Sequence, residues 1–294
     1  MRIPFRLAKL THSTAGGLKT LRSPKDIACL SPSKVTALRN SSQMDWKMQS
    51  PIDIDSTKAV ADKGLSTKPL DFGRHLSAFS LTNTGSTVDA KTQSKYLLSG
   101  GPLANPYEFV GFHFHWENQE NPLSGSEHLL NGKGFASELH LVHCNIQKYG
   151  EFAEALNYED GLSVLGVFLE ITPEEKGHDA LEELCSYFEE IKLKNDSVAM
   201  KNPFCPYALL PNDTKSYWTY SGSLTTAPFS ECVSWIVFKE SIKVSKSQLE
   251  KFRMLKSVAA VEIQEQESLQ ATHICHNVRE TFPVGDRTVR ASFV

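Results

Sequence analysis

Hydrophobic and polar positions alternate with a period of two along much of this chain, the pattern of strands with one buried face. The longest such run is Tyr107 to Trp116, and residues 136–146 keep the same rhythm. Ser50-Pro51-Ile52-Asp53-Ile54 is a shorter version, with Ile52 and Ile54 on one face. Ala78-Phe79-Ser80-Leu81 also alternates and then meets Thr82-Asn83-Thr84-Gly85, which predicts a strand entering a turn. Residues 162–171 differ. Val164-Leu165-Gly166-Val167-Phe168-Leu169 is almost continuously apolar, which predicts a central strand covered on both faces. Residues 233–238 form another apolar strand.

Helical spacing is clearest over 178–191, where Leu181, Leu184, Cys185, Phe188 and Ile191 make one stripe. A shorter helix is predicted over 247–255, with Ser247 as its cap. Many strands and few, scattered helices predict a mostly antiparallel α+β domain. No repeat or linker interrupts residues 46–294, so they read as one domain.

Charge separates a leader from this body. Residues 1–43 hold eight Lys/Arg against Asp26 alone, and the remaining residues hold 23 basic and 33 acidic side chains. A basic, Ser/Thr-rich and acid-poor leader has the composition of a mitochondrial transit peptide, and a disordered extension on a cytoplasmic protein is the alternative. The acidic body has no basic stripe, which argues against nucleic acid as a partner. No apolar run approaches 18 residues, so no membrane span is expected. Six scattered cysteines without a C-x-x-C pair suggest reduced thiols and an intracellular address.

Chemistry enters at Phe112-His113-Phe114-His115-Trp116. In an extended strand His113 and His115 share one face, and the three aromatic residues take the other. A His pair on a solvated face is the plainer reading of His-x-His alone. Glu138-Leu139-His140-Leu141-Val142-His143 changes the balance, because Glu138 and His140 also share a face. A neighbouring antiparallel strand would bring His140 opposite the first pair. Three imidazoles with one position left for water form a catalytic zinc site, and Glu138 would hold a ligand ring by its second nitrogen.

The motifs together resemble an α-class carbonic anhydrase, from about residue 46 to Val294. The resemblance is carried by Gln49-Ser50-Pro51-Ile52-Asp53, Gly100-Gly101-Pro102, residues 112–116, Gly125-Ser126-Glu127-His128 and residues 138–143. It continues through Tyr217-Trp218-Thr219-Tyr220, Gly222-Ser223-Leu224-Thr225-Thr226, Glu231-Cys232-Val233-Ser234-Trp235 and Ala291-Ser292-Phe293. It implies a large, mostly antiparallel central sheet with a few peripheral helices, and reversible hydration of carbon dioxide to bicarbonate. A monomer is expected. By the same resemblance His113, His115 and His140 match the ligands of Zn2+. Glu138 and Asn277 match the positions that hold two of those rings. Thr225 matches the hydroxyl that accepts from the nucleophile, and Glu127 the carboxylate that accepts from this threonine. Val142, Val164, Leu224 and Trp235 match the apolar pocket for carbon dioxide, and Thr226 a residue beside bicarbonate. His128 and His143 read as structural.

Three departures qualify this. Ser86 stands where the family usually has a proton-shuttling His, and a hydroxyl does not titrate near neutral pH. Gly111 stands where many members have a Gln that holds the first ligand, and losing such a partner costs about 10–100-fold in metal affinity or activity. The aromatic segment usual before Gln-Ser-Pro is represented by Trp46 alone. A catalytically weak or inactive carbonic anhydrase-related binding module is therefore the competing expectation. An amidohydrolase-type barrel, which also uses His-x-His, is disfavoured by the strand-rich pattern.

Overall fold

The computed structural model describes residues 47–117, 123–174, 176–260, 262, 273–274 and 276–294, all within one compact unit, Asp45–Val294. The leader expected over 1–43, Trp46, Cys29 and Cys275 lie outside the described residues. The main strands are β1 (Ser80–Asn83), β2 (Val88–Lys91), β3 (Tyr107–Trp116), β4 (Ser137–Cys144), β5 (Leu162–Ile171), β6 (Tyr217–Gly222) and β7 (Val233–Phe238). Among the described residues they form the centre of a 13-stranded sheet in the order β1-β2-β3-β4-β5-β7-β6. Two helices matter to its packing, α1 (Asp179–Cys185) and α2 (Lys246–Arg253). None of the described helices is long and apolar enough to cross a membrane.

Most pairings are antiparallel, but β5 runs parallel to β7 and to Ile242–Val244. The sheet is thus mixed at its centre. Parallel strands are normally covered on both faces, which is why β5 and β7 are apolar almost without interruption. Eight of the ten β5 residues are buried.

Strand register decides what each face carries. Phe112, Phe114, Trp116, Leu139, Leu141, Leu165 and Val167 join the larger core, where Leu181 and Leu184 of α1 and Leu249 and Phe252 of α2 cover the sheet. The opposite face holds His113, His115, Glu138 and His140, continuing into Val142, Val164 and Trp235. A slip of one residue would exchange these faces, so the apolar load of one side aims the polar side chains of the other. Truncating fully buried Leu165 to alanine is expected to cost about 2–5 kcal/mol, read as a lower urea midpoint with an unchanged slope.

Several local expectations are corrected. The helix expected over 178–191 stops at Cys185 and continues as tighter turns, with Tyr187, Phe188 and Ile191 N–H donating three residues back. Its stripe is buried nonetheless, because spacings of three and four survive in both geometries. The cap of α2 is Ser245, not Ser247. Ser245 Oγ accepts from Gln248 N while Gln248 Oε1 accepts from Ser245 N, a capping box that starts the helix earlier. β1 runs on through Asn83 before turning, and β4 is shorter at both ends than its alternating pattern.

Candidate metal centre

β3 and β4 pair with His113 opposite His140 and His115 opposite Glu138. Side chains opposite each other in an antiparallel ladder share a face, so three imidazoles converge without help from loops. Their ring centroids are 5.1 Å (His113–His115), 5.3 Å (His113–His140) and 4.5 Å (His115–His140) apart. One nitrogen of each lies within 4.8 Å of the others. Burial lowers the pKa of His113 and His115 to about 3 and of His140 to about 4, aided by neighbouring imidazoles. The rings are therefore neutral at pH 7, the state a metal requires.

Hydrogen bonds choose which nitrogen faces inward. His115 Nδ1 donates to the Asn277 carbonyl at 2.6 Å, leaving Nε2 buried with no hydrogen-bond partner. His140 Nε2 donates to Glu138 Oε1 at 2.7 Å, which turns Nδ1 towards the centre. An orphaned, buried acceptor nitrogen is costly unless something binds it. A divalent cation favouring imidazole, such as Zn2+, fits this donor set.

Glu138 is the hub behind the rings. Its Oε1 also accepts from His128 Nδ1 at 2.7 Å, and Oε2 accepts from the N–H groups of Glu127 and His128 at 2.9 and 2.8 Å. Burial raises its pKa, but the two histidines more than offset this and hold it well below the usual carboxylate range. His128, Glu138 and His140 also lie within ligating distance of one another. Both His128 nitrogens are committed, however, Nδ1 to Glu138 and Nε2 to Tyr220 Oη at 2.6 Å. The His113–His115–His140 set is the better cation site.

Glu127 completes the polar floor. Its Oε1 accepts from Arg279 N at 2.9 Å, while Oε2 lies 3.4 Å from His115 Nε2 and 3.8 Å from His140 Nδ1. Burial pushes its pKa up to about 8 against the opposing pull of the nearby Thr225 hydroxyl. Oε2 makes no hydrogen bond of normal geometry to Thr225 or any other described group. A cation held by the three rings would favour the ionised carboxylate.

The apolar residues also meet. Val142, Val164 and Trp235 stand in register on adjacent strands β4, β5 and β7, and Leu224 packs against the same cluster. The Trp235 ring lies edge-on to His140 at 4.8 Å, and its Nε1 donates to the Ser223 carbonyl. Thr225 is buried beside this wall, and Thr226 is exposed. Ser86 is exposed on the β1–β2 turn, where its carbonyl accepts from Asn277 Nδ2 at 2.9 Å.

Two glycines shape the site. A Cβ at Gly111 would stand 2.9 Å from the Ala90 carbonyl oxygen, so the close approach of β2 leaves no room for a side chain that could hold His113. Asp89, paired opposite His113, brings its Oδ1 to 3.5 Å from that same point. Gly166 was not singled out in the sequence. A Cβ there would come within 3.3 Å of Glu138 Oε1, so glycine makes space for the hub carboxylate. A glycine inside a buried apolar strand is the available signal for such a close approach.

Comparison with known proteins agrees with this geometry. Residues 37–293 match the family model of eukaryotic-type carbonic anhydrases, a match that begins ahead of the motifs near residue 46. Carbonic anhydrase 7 of Mus musculus is 41% identical over 249 residues, covering 83% of this chain and 88% of the relative. Carbonic anhydrase 7 of Homo sapiens is 40% identical over 248 residues with the same coverage. Carbonic anhydrase 1 of Oryctolagus cuniculus is 38% identical over 247 residues, covering 83% of this chain and 99% of the relative.

Proposed function

The chain belongs to the eukaryotic-type carbonic anhydrase family, and from that premise we propose that it hydrates carbon dioxide reversibly at a Zn2+ held by His113, His115 and His140. The observation that carries this reading is the unpartnered His115 Nε2, buried beside two further imidazole nitrogens and an apolar wall. Zn2+ bound by three neutral rings keeps its full charge and so lowers the pKa of water in its open position.

The remaining steps belong to side chains. Asn277 and Glu138 keep His115 and His140 in the tautomers that point inward. An ionised Glu127 can only accept, so Thr225 donates to it and offers its own lone pair to the nucleophile's proton. That turns the attacking oxygen towards Val142, Val164, Leu224 and Trp235. These side chains suit an uncharged, apolar substrate and give bicarbonate nothing to grip. Thr226, at the exposed edge, contacts the departing anion.

The released proton must reach solvent, and Ser86 does not titrate near pH 7. Turnover should rise with added imidazole buffer, and Ser86→His should raise turnover in dilute buffer by about 10-fold or more. Steady-state rates across a buffer series check this; a wild-type rate indifferent to buffer would count against it. The competing reading, a non-catalytic binding module, draws on the same serine and would be excluded by observing buffer-enhanced hydration. The basic leader supports delivery to mitochondria, with residence in the cytoplasm as the alternative.

A further inference from the structure

Two residues outside the proposed ligand shell grip the strand that carries two of the ligands. His276 adopts φ +55°, a left-handed backbone that residues with a β-carbon rarely adopt unless their surroundings impose it. Its Nδ1 lies 2.7 Å from both carboxylate oxygens of Glu117, which directly follows β3. Glu117 is anchored in turn, since its carbonyl accepts from Arg253 Nε at the end of α2.

The turn at His276 sets the direction of the next residue. Asn277 commits its carbonyl and both side-chain polar atoms to its surroundings. Its carbonyl holds His115 Nδ1, its Oδ1 accepts from Trp116 N at 2.6 Å, and its Nδ2 donates to the carbonyls of Phe114 and Ser86. Ile274, on the other side of His276, accepts from Trp116 Nε1. Ile274 and Asn277 therefore grip β3 from Phe114 to Trp116, and the His276–Glu117 pair adds a contact just beyond the strand's end.

We propose that the hydrogen-bonded His276–Glu117 pair is a clasp that positions Asn277, and through it the His115 ring, for metal binding. Both are positioning residues. The inference rests on the zinc reading given above. Opening the clasp lets the Asn277 carbonyl drift from Nδ1 and loosens the orientation of Nε2, so the metal leaves faster.

The test uses the zinc-loaded full chain and follows metal release into excess chelator. His276→Gly removes the side chain while tolerating the positive φ, and Glu117→Gln removes the charge. Each is expected to speed release by about 3–10-fold, below the 10–100-fold typical of removing a ligand's direct partner. The double variant should release more slowly than the product of the two single effects predicts, because both changes break one shared interaction. The metal-free thermal midpoints should stay within about 2 °C of wild type. Lys95→Ala, which opens the exposed Lys95–Glu108 pair at the far end of β3, should leave release unchanged. Wild-type release rates in both single variants, with lowered metal-free midpoints, would reduce the pair to a structural staple and overturn the proposal. A wild-type chain that retains no zinc would instead overturn the functional reading beneath it.

Discussion

Replacing His140 with alanine should remove bound zinc and bring carbon dioxide hydration down to the buffer background, a loss well beyond 100-fold. The scale follows from comparison with residues that only hold a ligand ring in place. Loss of a residue that merely orients a ligand costs about 10–100-fold, and His140 is itself a proposed ligand. Neither of the nearest described candidates takes its place. His128 is committed at both nitrogens, and Glu127 Oε2 is 3.8 Å from the His140 nitrogen it would have to replace. Metal analysis with stopped-flow hydration of wild type and His140→Ala decides this. Equal rates in the two would end the enzymatic reading.

Glu138→Ala should be the most damaging change outside the triad, because it acts on stability and metal binding together. Four hydrogen bonds converge on this carboxylate, from His140 Nε2, His128 Nδ1 and the N–H groups of Glu127 and His128. All the partners are buried, so truncation strands donors where water cannot reach them. Breaking a buried, hydrogen-bonded charge network typically costs about 3–5 kcal/mol. Urea unfolding of the metal-free protein should show a loss of that order. Zinc affinity should fall about 10–100-fold in the same variant, as the His140 ring loses its anchor. Glu138→Gln should fall between, since an amide keeps an acceptor but turns a donor towards donors. A stability change under 1 kcal/mol for Glu138→Ala would mean that the hub carries little.

Much of the site was legible because its chemistry is periodic. Period-two alternation alone put His113 with His115 and Glu138 with His140 and predicted β3 to its end residues, while a continuous apolar run did the same for β5. The longer helix was overextended and the cap of α2 misplaced for a common reason. Side-chain stripes survive a change from α-helix to tighter turns, and a cap is decided by which hydroxyl meets the N3 amide.

What the sequence determined by itself was therefore the inventory and the faces: which imidazoles and carboxylate share a face, which apolar residues take the other, and which strands carry them. Only the tertiary structure decided the register that sets His140 opposite His113, and the tautomers imposed by Glu138 and the Asn277 carbonyl. It alone revealed that β2 closes off position 111 and that His276 folds back onto Glu117. Alternation is local, a property of two neighbouring peptide units, and can be read along the chain. Register, ring orientation and backbone approach depend on residues up to 162 positions apart in sequence, and no local pattern encodes that distance.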